Sequence, residues 1–211
     1  MKAEILILAA GTSSRMQGRD KLLELIDNEP LLTRINRAAL ATGCPVSITL
    51  PQDKPARTAA LAGLTVQHIP VPNAQDGMAA SLKCGMARMS ADAPVLLLLA
   101  DLPEITALDL QTVLTAWQTT PDFILRGSAS DGTPGHPVAL PPWTRAELTE
   151  ITGDEGARGL LGRHKDKVRL IALPGQHATT DLDTPEDWAR WRANHSSNSG
   201  SRKRWAGWGA P

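Results

Sequence analysis

The sequence predicts an α/β protein built on a mostly parallel central sheet. Short apolar runs alternate with helix-length segments along nearly the whole chain, the pattern of βαβ units. Two of the runs, at 5–8 (ILIL) and 95–99 (VLLLL), are continuously apolar, as central strands covered on both faces must be. A Gly/Ser/Thr-rich stretch follows the first run and Asp101 follows the second. The carboxyl ends of parallel strands are where such sheets bind ligands.

The first strand is read at 4–9, directly before the glycine-rich stretch. A helix over 30–42 places Leu31, Leu32, Ile35, Ala38 and Ala39 on one face, with Gly43 as its stop. Strands at 45–50 and 65–69 flank a helix at 54–62. The helix over 77–89 turns Met78, Leu82, Met86 and Met89 to one side, a core-facing stripe. The strand at 94–100 leads to Asp101 and a helix over 106–118. Further strands are read at 122–126, 136–140 and 167–172, and further helices at 143–151 and 156–163. The last helix, 184–193, opens with Asp183-Thr184-Pro185-Glu186, a capping residue followed by proline and acid. One domain therefore spans 1–194. From His195 the chain loses periodicity and turns to Ser, Gly and basic residues, so 195–211 reads as a disordered tail.

With 211 residues the chain can bury a core without a metal or disulfide staple. Its 22 basic and 22 acidic residues cancel, which argues against nucleic acid or an anionic membrane as the main partner. Any anion site must be local. Cys44 and Cys84 show no metal spacing and suit a reduced, cytoplasmic chain. The run from Pro94 to Ala100 falls far short of the ~20 residues a bilayer demands.

The stretch LAAGTSSRMQGRDK at 8–21 is longer than a strand–helix turn needs. It is neither a GxGxxG fingerprint nor a P-loop. Its composition still suits a triphosphate. Leu8, Ala9, Ala10 and Gly11 let backbone N–H groups approach phosphate oxygens, and Thr12, Ser13 and Ser14 add hydroxyls. Arg15 supplies a forked cation and Lys21 a point charge. The same residues would also serve as a solvated polar loop.

The string Leu8-Ala9-Ala10-Gly11-Thr12-Ser13-Ser14-Arg15-Met16, followed by Asp20-Lys21, resembles the signature loop of the molybdopterin nucleotidyltransferases. Methylerythritol cytidylyltransferases and sugar-1-phosphate nucleotidyltransferases are more distant relatives. Many members carry Gly straight after the Met, where this chain has Gln17. Further segments are similar to later landmarks in family order: Gly77–Leu82 with Gly85, Leu99-Ala100-Asp101-Leu102-Pro103, Gly135-His136-Pro137-Val138, Gly153–Arg158 and Asp181–Asp187. The resemblance covers about 5–190.

It implies a Rossmann-like three-layer nucleotidyltransferase fold and Mg²⁺-dependent transfer of CMP from CTP to the phosphate of molybdopterin, with release of pyrophosphate. Arg15, Lys21 and Asp101 would be catalytic, and Gly77 and Ser81 would join the loop in holding nucleotide. Asp101 would hold Mg²⁺ with Asp181 as second ligand, since Mg²⁺ takes one or two carboxylates plus phosphate oxygens. Asp101 could instead only cap a turn. His136, Asp154, Arg158 and Asp183 are candidates for acceptor contact, with Asp183 equally suited to N-cap the last helix. Ala10 favours CTP, because the guanylyl enzymes typically carry glycine there; GTP is the alternative. A recipient molybdenum enzyme would be the downstream partner. Competing readings are a sugar-1-phosphate nucleotidyltransferase, a glycosyltransferase using Asp181-Leu182-Asp183, and a non-catalytic cofactor carrier.

Overall fold

The structure is a computed structural model that describes residues 2–151 and 157–202, with 196–202 described by backbone alone. In chain order the strands are β1 (Glu4–Leu8), β2 (Leu25–Ile26), β3 (Glu29–Pro30), β4 (Val46–Pro51), β5 (Gln67–Val71), β6 (Val95–Leu99), β7 (Ile124–Ser128), β8 (Pro134–Leu140) and β9 (Val168–Ala172). The helices are α1 (Leu31–Leu40), α2 (Pro55–Ala59), α3 (Met78–Met86), α4 (Ala107–Thr119), α5 (Arg145–Leu148), α6 (Arg158–Arg163) and α7 (Pro185–Arg202).

Seven strands form one sheet in the order β5-β4-β1-β6-β8-β7-β9. All neighbours are parallel except β8, which runs antiparallel to both β6 and β7. The reversal at β8 has a local cause. A tight turn joins it to β7, with Ala129 N–H donating to the Thr133 carbonyl and Gly132 at φ 86°. A connection that short can link only antiparallel strands.

The two-sided burial expected of the apolar runs is present residue by residue. Ile5 and Ile7 of β1 with Leu96 and Leu98 of β6 belong to one core, and Leu6 and Leu8 with Val95 and Leu97 to the other. This period-2 division makes three layers. Leu31, Leu32 and Ile35 of α1, Leu110 and Val113 of α4 and Trp188 of α7 cover the first face. Leu82 of α3, Leu148 of α5 and Leu160 of α6 cover the second. Each such side chain contributes about 1.5–3 kcal/mol on burial.

All seven expected strands and all seven expected helices exist, with shifted ends. The helix read at 54–62 stops at Ala59, and that at 77–89 at Met86. The helix expected over 184–193 runs on to Arg202, into the segment read as a tail; residues 203–211 lie outside the described residues. The β2–β3 ribbon is additional. Asp27 and Asn28 at its tip both take left-handed φ, 50° and 64°, as a two-residue hairpin turn requires. Cys44 and Cys84 are both free thiols. Among the described residues, no helix is long and apolar enough to cross a membrane.

Candidate active site

The carboxyl ends of β1 and β6 lie side by side, Leu8 opposite Leu99, so the loop after one faces Asp101 after the other. Between them opens a cavity of about 350 Å³. Its wall includes Leu8, Ala9, Ala10, Gly11, Thr12 and Lys21 from the first loop, Gly77, Met78 and Ser81 at the start of α3, and Asp101. The loop and the Gly77–Ser81 segment, far apart in sequence, thus border one space. Ala74 and Gln75 also line it, and nothing in the sequence marks them. Gly77 is conformationally required: φ 87° lets the chain swing into α3 where a side chain would be strained.

The charged groups converge at the mouth. Lys21 Nζ lies 2.6 Å from Asp101 Oδ2 and 2.6 Å from Asp183 Oδ1. Arg15 Nη2 lies 2.6 Å from Asp183 Oδ2, although the arginine side chain is 69% exposed. Burial pulls the Lys21 ammonium pKa down, but the charge and hydrogen bond of Asp101 and those of Asp183 outweigh it, so the value is raised and Lys21 stays cationic. Burial, then the charges of Asp183 and Asp101, push the Asp181 carboxyl above its ordinary range. Ser14 belongs to a short 3-10 turn (Ser14–Met16) outside the residues that line the cavity.

A cation fits this donor set. Asp101 Oδ1 is buried without a hydrogen-bond partner, and Asp181 is held near two other carboxylates. Among the described residues no group of three His, Cys, Asp or Glu forms a cage by itself. One or two carboxylates completed by phosphate oxygens is the arrangement Mg²⁺ ordinarily takes.

Geometry removes one of the two uses open to Asp183, that of helix cap. Thr184 caps α7: its hydroxyl accepts from Asp187 N–H at 3.1 Å, and Asp187 Oδ2 accepts from Thr184 N–H and Oγ1. Asp183 is therefore not the cap, and its carboxylate is free to hold Lys21 and Arg15. His136 lies on β8 with Nδ1 buried and unpartnered. Burial depresses its pKa to about 4 and Arg126 and Arg158 push the same way, against the pull of Asp101, so the ring is neutral. Arg158 begins α6 and lines a separate cavity of about 370 Å³ with Arg126 and Lys165, so it does not join the first wall. Asp154 lies outside the described residues.

Sequence reasoning missed Arg57 and took Asp20 only as the neighbour of Lys21 in the motif. Arg57, on α2, is 0% exposed. Its Nε donates to Asp20 Oδ2 at 2.7 Å, Nη2 to Asp20 Oδ1 at 2.8 Å and to Ser13 Oγ at 3.1 Å, and Nη1 to the Ala9 carbonyl at 2.5 Å. The only signal available was Asp20 next to Lys21, since an arginine within a polar helix reads as solvated.

Comparison with known proteins gives a consistent result. Residues 5–168 match the family model described as the MobA-like NTP transferase domain. A protein named "Probable molybdenum cofactor guanylyltransferase" from Synechococcus elongatus is 38% identical over 120 residues, 56% of this chain and 58% of that protein. The chain thus spans a little over half the length of the curated relatives it matches. Among solved structures, Rv0371c from Mycobacterium tuberculosis H37Rv superposes with a TM-score of 0.76 at 27% identity, covering 90% of this chain and 98% of that one. The same protein in complex with manganese gives 0.74 at 25% identity, covering 90% and 97%. A CMP:2-keto-3-deoxy-manno-octonic acid synthetase complexed with CTP gives 0.72 at 16% identity, covering 94% and 100%, a likeness of fold alone.

Proposed function

This chain belongs to the MobA-like NTP transferase domain family, and from that premise we propose that it transfers a nucleoside monophosphate from a nucleoside triphosphate to the phosphate of molybdopterin. Pyrophosphate leaves and a dinucleotide form of the cofactor results. The observation that carries this reading is the single cavity bordered by the 8–12 loop, the start of α3 and the Lys21–Asp101 pair. A triphosphate laid along the loop would bring its phosphates against backbone donors and its α-phosphorus toward Lys21 and Asp101.

Such a displacement asks little covalent chemistry of the protein, and positioning with charge stabilisation dominates. Lys21 stays cationic and offsets charge moving to the leaving group, with Arg15 beside it at the open rim. Asp101, with Asp181 as second ligand, would hold Mg²⁺, which would supply charge neutralisation to the phosphate oxygens. The acceptor phosphate is already an anion, so no general base is needed, and a neutral His136 suits a role in acceptor contact better than proton transfer. Arg158 stays a candidate for acceptor contact only from the separate cavity it lines with Arg126.

For the nucleotide we favour CTP, on Ala10, which is 2% exposed and lines the cavity. The names of the Synechococcus relatives favour GTP instead. One methyl group in a pocket is worth only about 1–3 kcal/mol of discrimination. Pyrophosphate release from CTP, GTP and ATP, with Mg²⁺ and with or without molybdopterin, tests both levels. Molybdopterin-dependent release from CTP supports the full reading. Release from GTP keeps the reaction and replaces the base. No release from any of them, or release with sugar phosphates alone, overturns the assignment of the acceptor.

A further inference from the structure

The loop that borders the cavity is shaped from behind, by residues that never reach the cavity. Arg57 ties together its beginning, middle and end: the carbonyl of Ala9, the hydroxyl of Ser13 and both carboxylate oxygens of Asp20. Lys54, at the start of α2, adds a fourth tie from Nζ to the Thr12 carbonyl at 2.6 Å. Ser13 Oγ also donates to Asp20 Oδ1 at 3.2 Å, closing the network. The fork-to-carboxylate pairing of Arg57 with Asp20 is the strong, directional kind.

These ties act on the orientation of peptide planes. In a trans peptide the C=O and the following N–H point in opposite directions. Drawing the Ala9 carbonyl toward Arg57 therefore turns the N–H of Ala10 away from it. Drawing the Thr12 carbonyl toward Lys54 does the same for the N–H of Ser13. Among the described residues, the backbone N–H groups of Ala10, Gly11, Thr12 and Ser13 donate to no protein acceptor. The loop holds a conformation it would not choose unaided, with Ser13 at φ 58° and Gln17 at φ 52°, both left-handed.

We propose that Arg57, working through Asp20 and the Ala9 carbonyl, is the positioning residue that sets the 9–20 loop as an anion cradle. It touches no ligand, being fully buried, and fixes instead the direction of the donors that do. Lys54 is its auxiliary. The inference rests on the reading of this loop as a triphosphate site and names which residue makes it competent.

Two substitutions separate positioning from simple charge effects, read by calorimetric titration of inorganic triphosphate into the full chain. Asp20→Asn removes a negative charge near the site, so Coulomb attraction alone would tighten triphosphate binding. The brace predicts the reverse, a loss of about tenfold or more. Arg57→Lys keeps the buried cation opposite Asp20 but loses the fork, so charge alone predicts no change and the brace again predicts weakening. Because that variant strands no charge, it carries the test if Asp20→Asn does not fold; circular dichroism verifies the folded state of each. Weakened binding by folded protein supports the brace. Wild-type affinity in folded Asp20→Asn and Arg57→Lys overturns the brace and leaves the nucleotidyl-transfer reading standing. Failure of the unsubstituted chain to bind either triphosphate or nucleotide overturns both together.

Discussion

Lys21 and Asp101 are 80 positions apart in sequence and 2.6 Å apart in space. Both were visible in the sequence because each lies in a recognisable string that opens at the end of an apolar strand. Asp101→Asn keeps the shape of the side chain and removes its charge, leaving Lys21 with Asp183 alone. We expect turnover to fall at least about a hundredfold with the far-UV spectrum unchanged. A folded variant retaining activity within a few-fold of the parent would remove Asp101 from the machinery. Arg57 was invisible for the opposite reason: a buried arginine is defined by what surrounds it, and its partners are 37 to 48 positions away. Burial pushes the Asp20 pKa up, but the hydrogen bond and charge of Arg57 and the Leu22 N–H outweigh that and hold it below the ordinary 3.8. The sign follows for a lowered carboxylate. Asp20 contributes stability that is complete above about pH 4 and is lost as pH falls through its lowered folded value. Acid titrations of unfolding free energy for the parent and Asp20→Asn should therefore converge below that value. A gap of constant size down to the most acid pH would contradict the pairing.

At the scale of elements, the site depends on how closely the 174–183 segment is pressed to β8. His136 N–H donates to the Ala178 carbonyl at 2.8 Å, and Ser130 N–H donates to the Gly175 carbonyl at 2.8 Å. This approach requires Gly135: a Cβ there would stand 1.9 Å from the Ala178 carbonyl oxygen, a backbone atom that cannot swing aside. The segment goes on to Asp181 and Asp183, so its placement against β8 places those carboxylates beside Lys21. Gly135→Ala should destabilise the fold by about 2–4 kcal/mol in a denaturant titration and lower turnover more than Gly162→Ala, where a Cβ meets nothing within 4 Å. Equal effects at the two glycines would show that the packed segment can yield. Elements were legible to different depths. Strands with continuous apolar runs were unambiguous, whereas the β2–β3 ribbon has two residues per strand and only Asp27-Asn28 as its signal. The choice between Asp183 and Thr184 as cap had a local signal, Thr184 three residues before Asp187 with Pro185 at the first helical position, while the pull of Lys21 and Arg15 on Asp183 is a tertiary demand that no local pattern contains.

At the scale of the molecule, the sequence reveals which segments are strands but not the order β5-β4-β1-β6-β8-β7-β9, because each pairing is a choice among distant partners. The candidate site is a product of that order. The loop and α3 come from the half of the sheet around β1, while Asp181 and Asp183 arrive after β9 at the far edge. A ligand touching both groups would cross-link segments from opposite ends of the chain, and because the whole chain carries zero formal net charge its attraction must be local. Binding to the native state alone stabilises by about 2.7 kcal/mol at a hundredfold excess over the dissociation constant. For a domain of this size that corresponds to a rise in melting temperature of about 5–10 °C. We expect the favoured nucleoside triphosphate with Mg²⁺ to produce this shift, and CTP, GTP and ATP to rank in the same order as their turnover. Chelation of the metal should reduce it, because phosphate oxygens would then meet Asp101 without a cation between them. Lys21→Ala should reduce it further by leaving Asp101 without its cation and Asp183 with Arg15 alone. A shift unchanged by both treatments would mean that nucleotide binds without engaging the carboxylate side of the cavity.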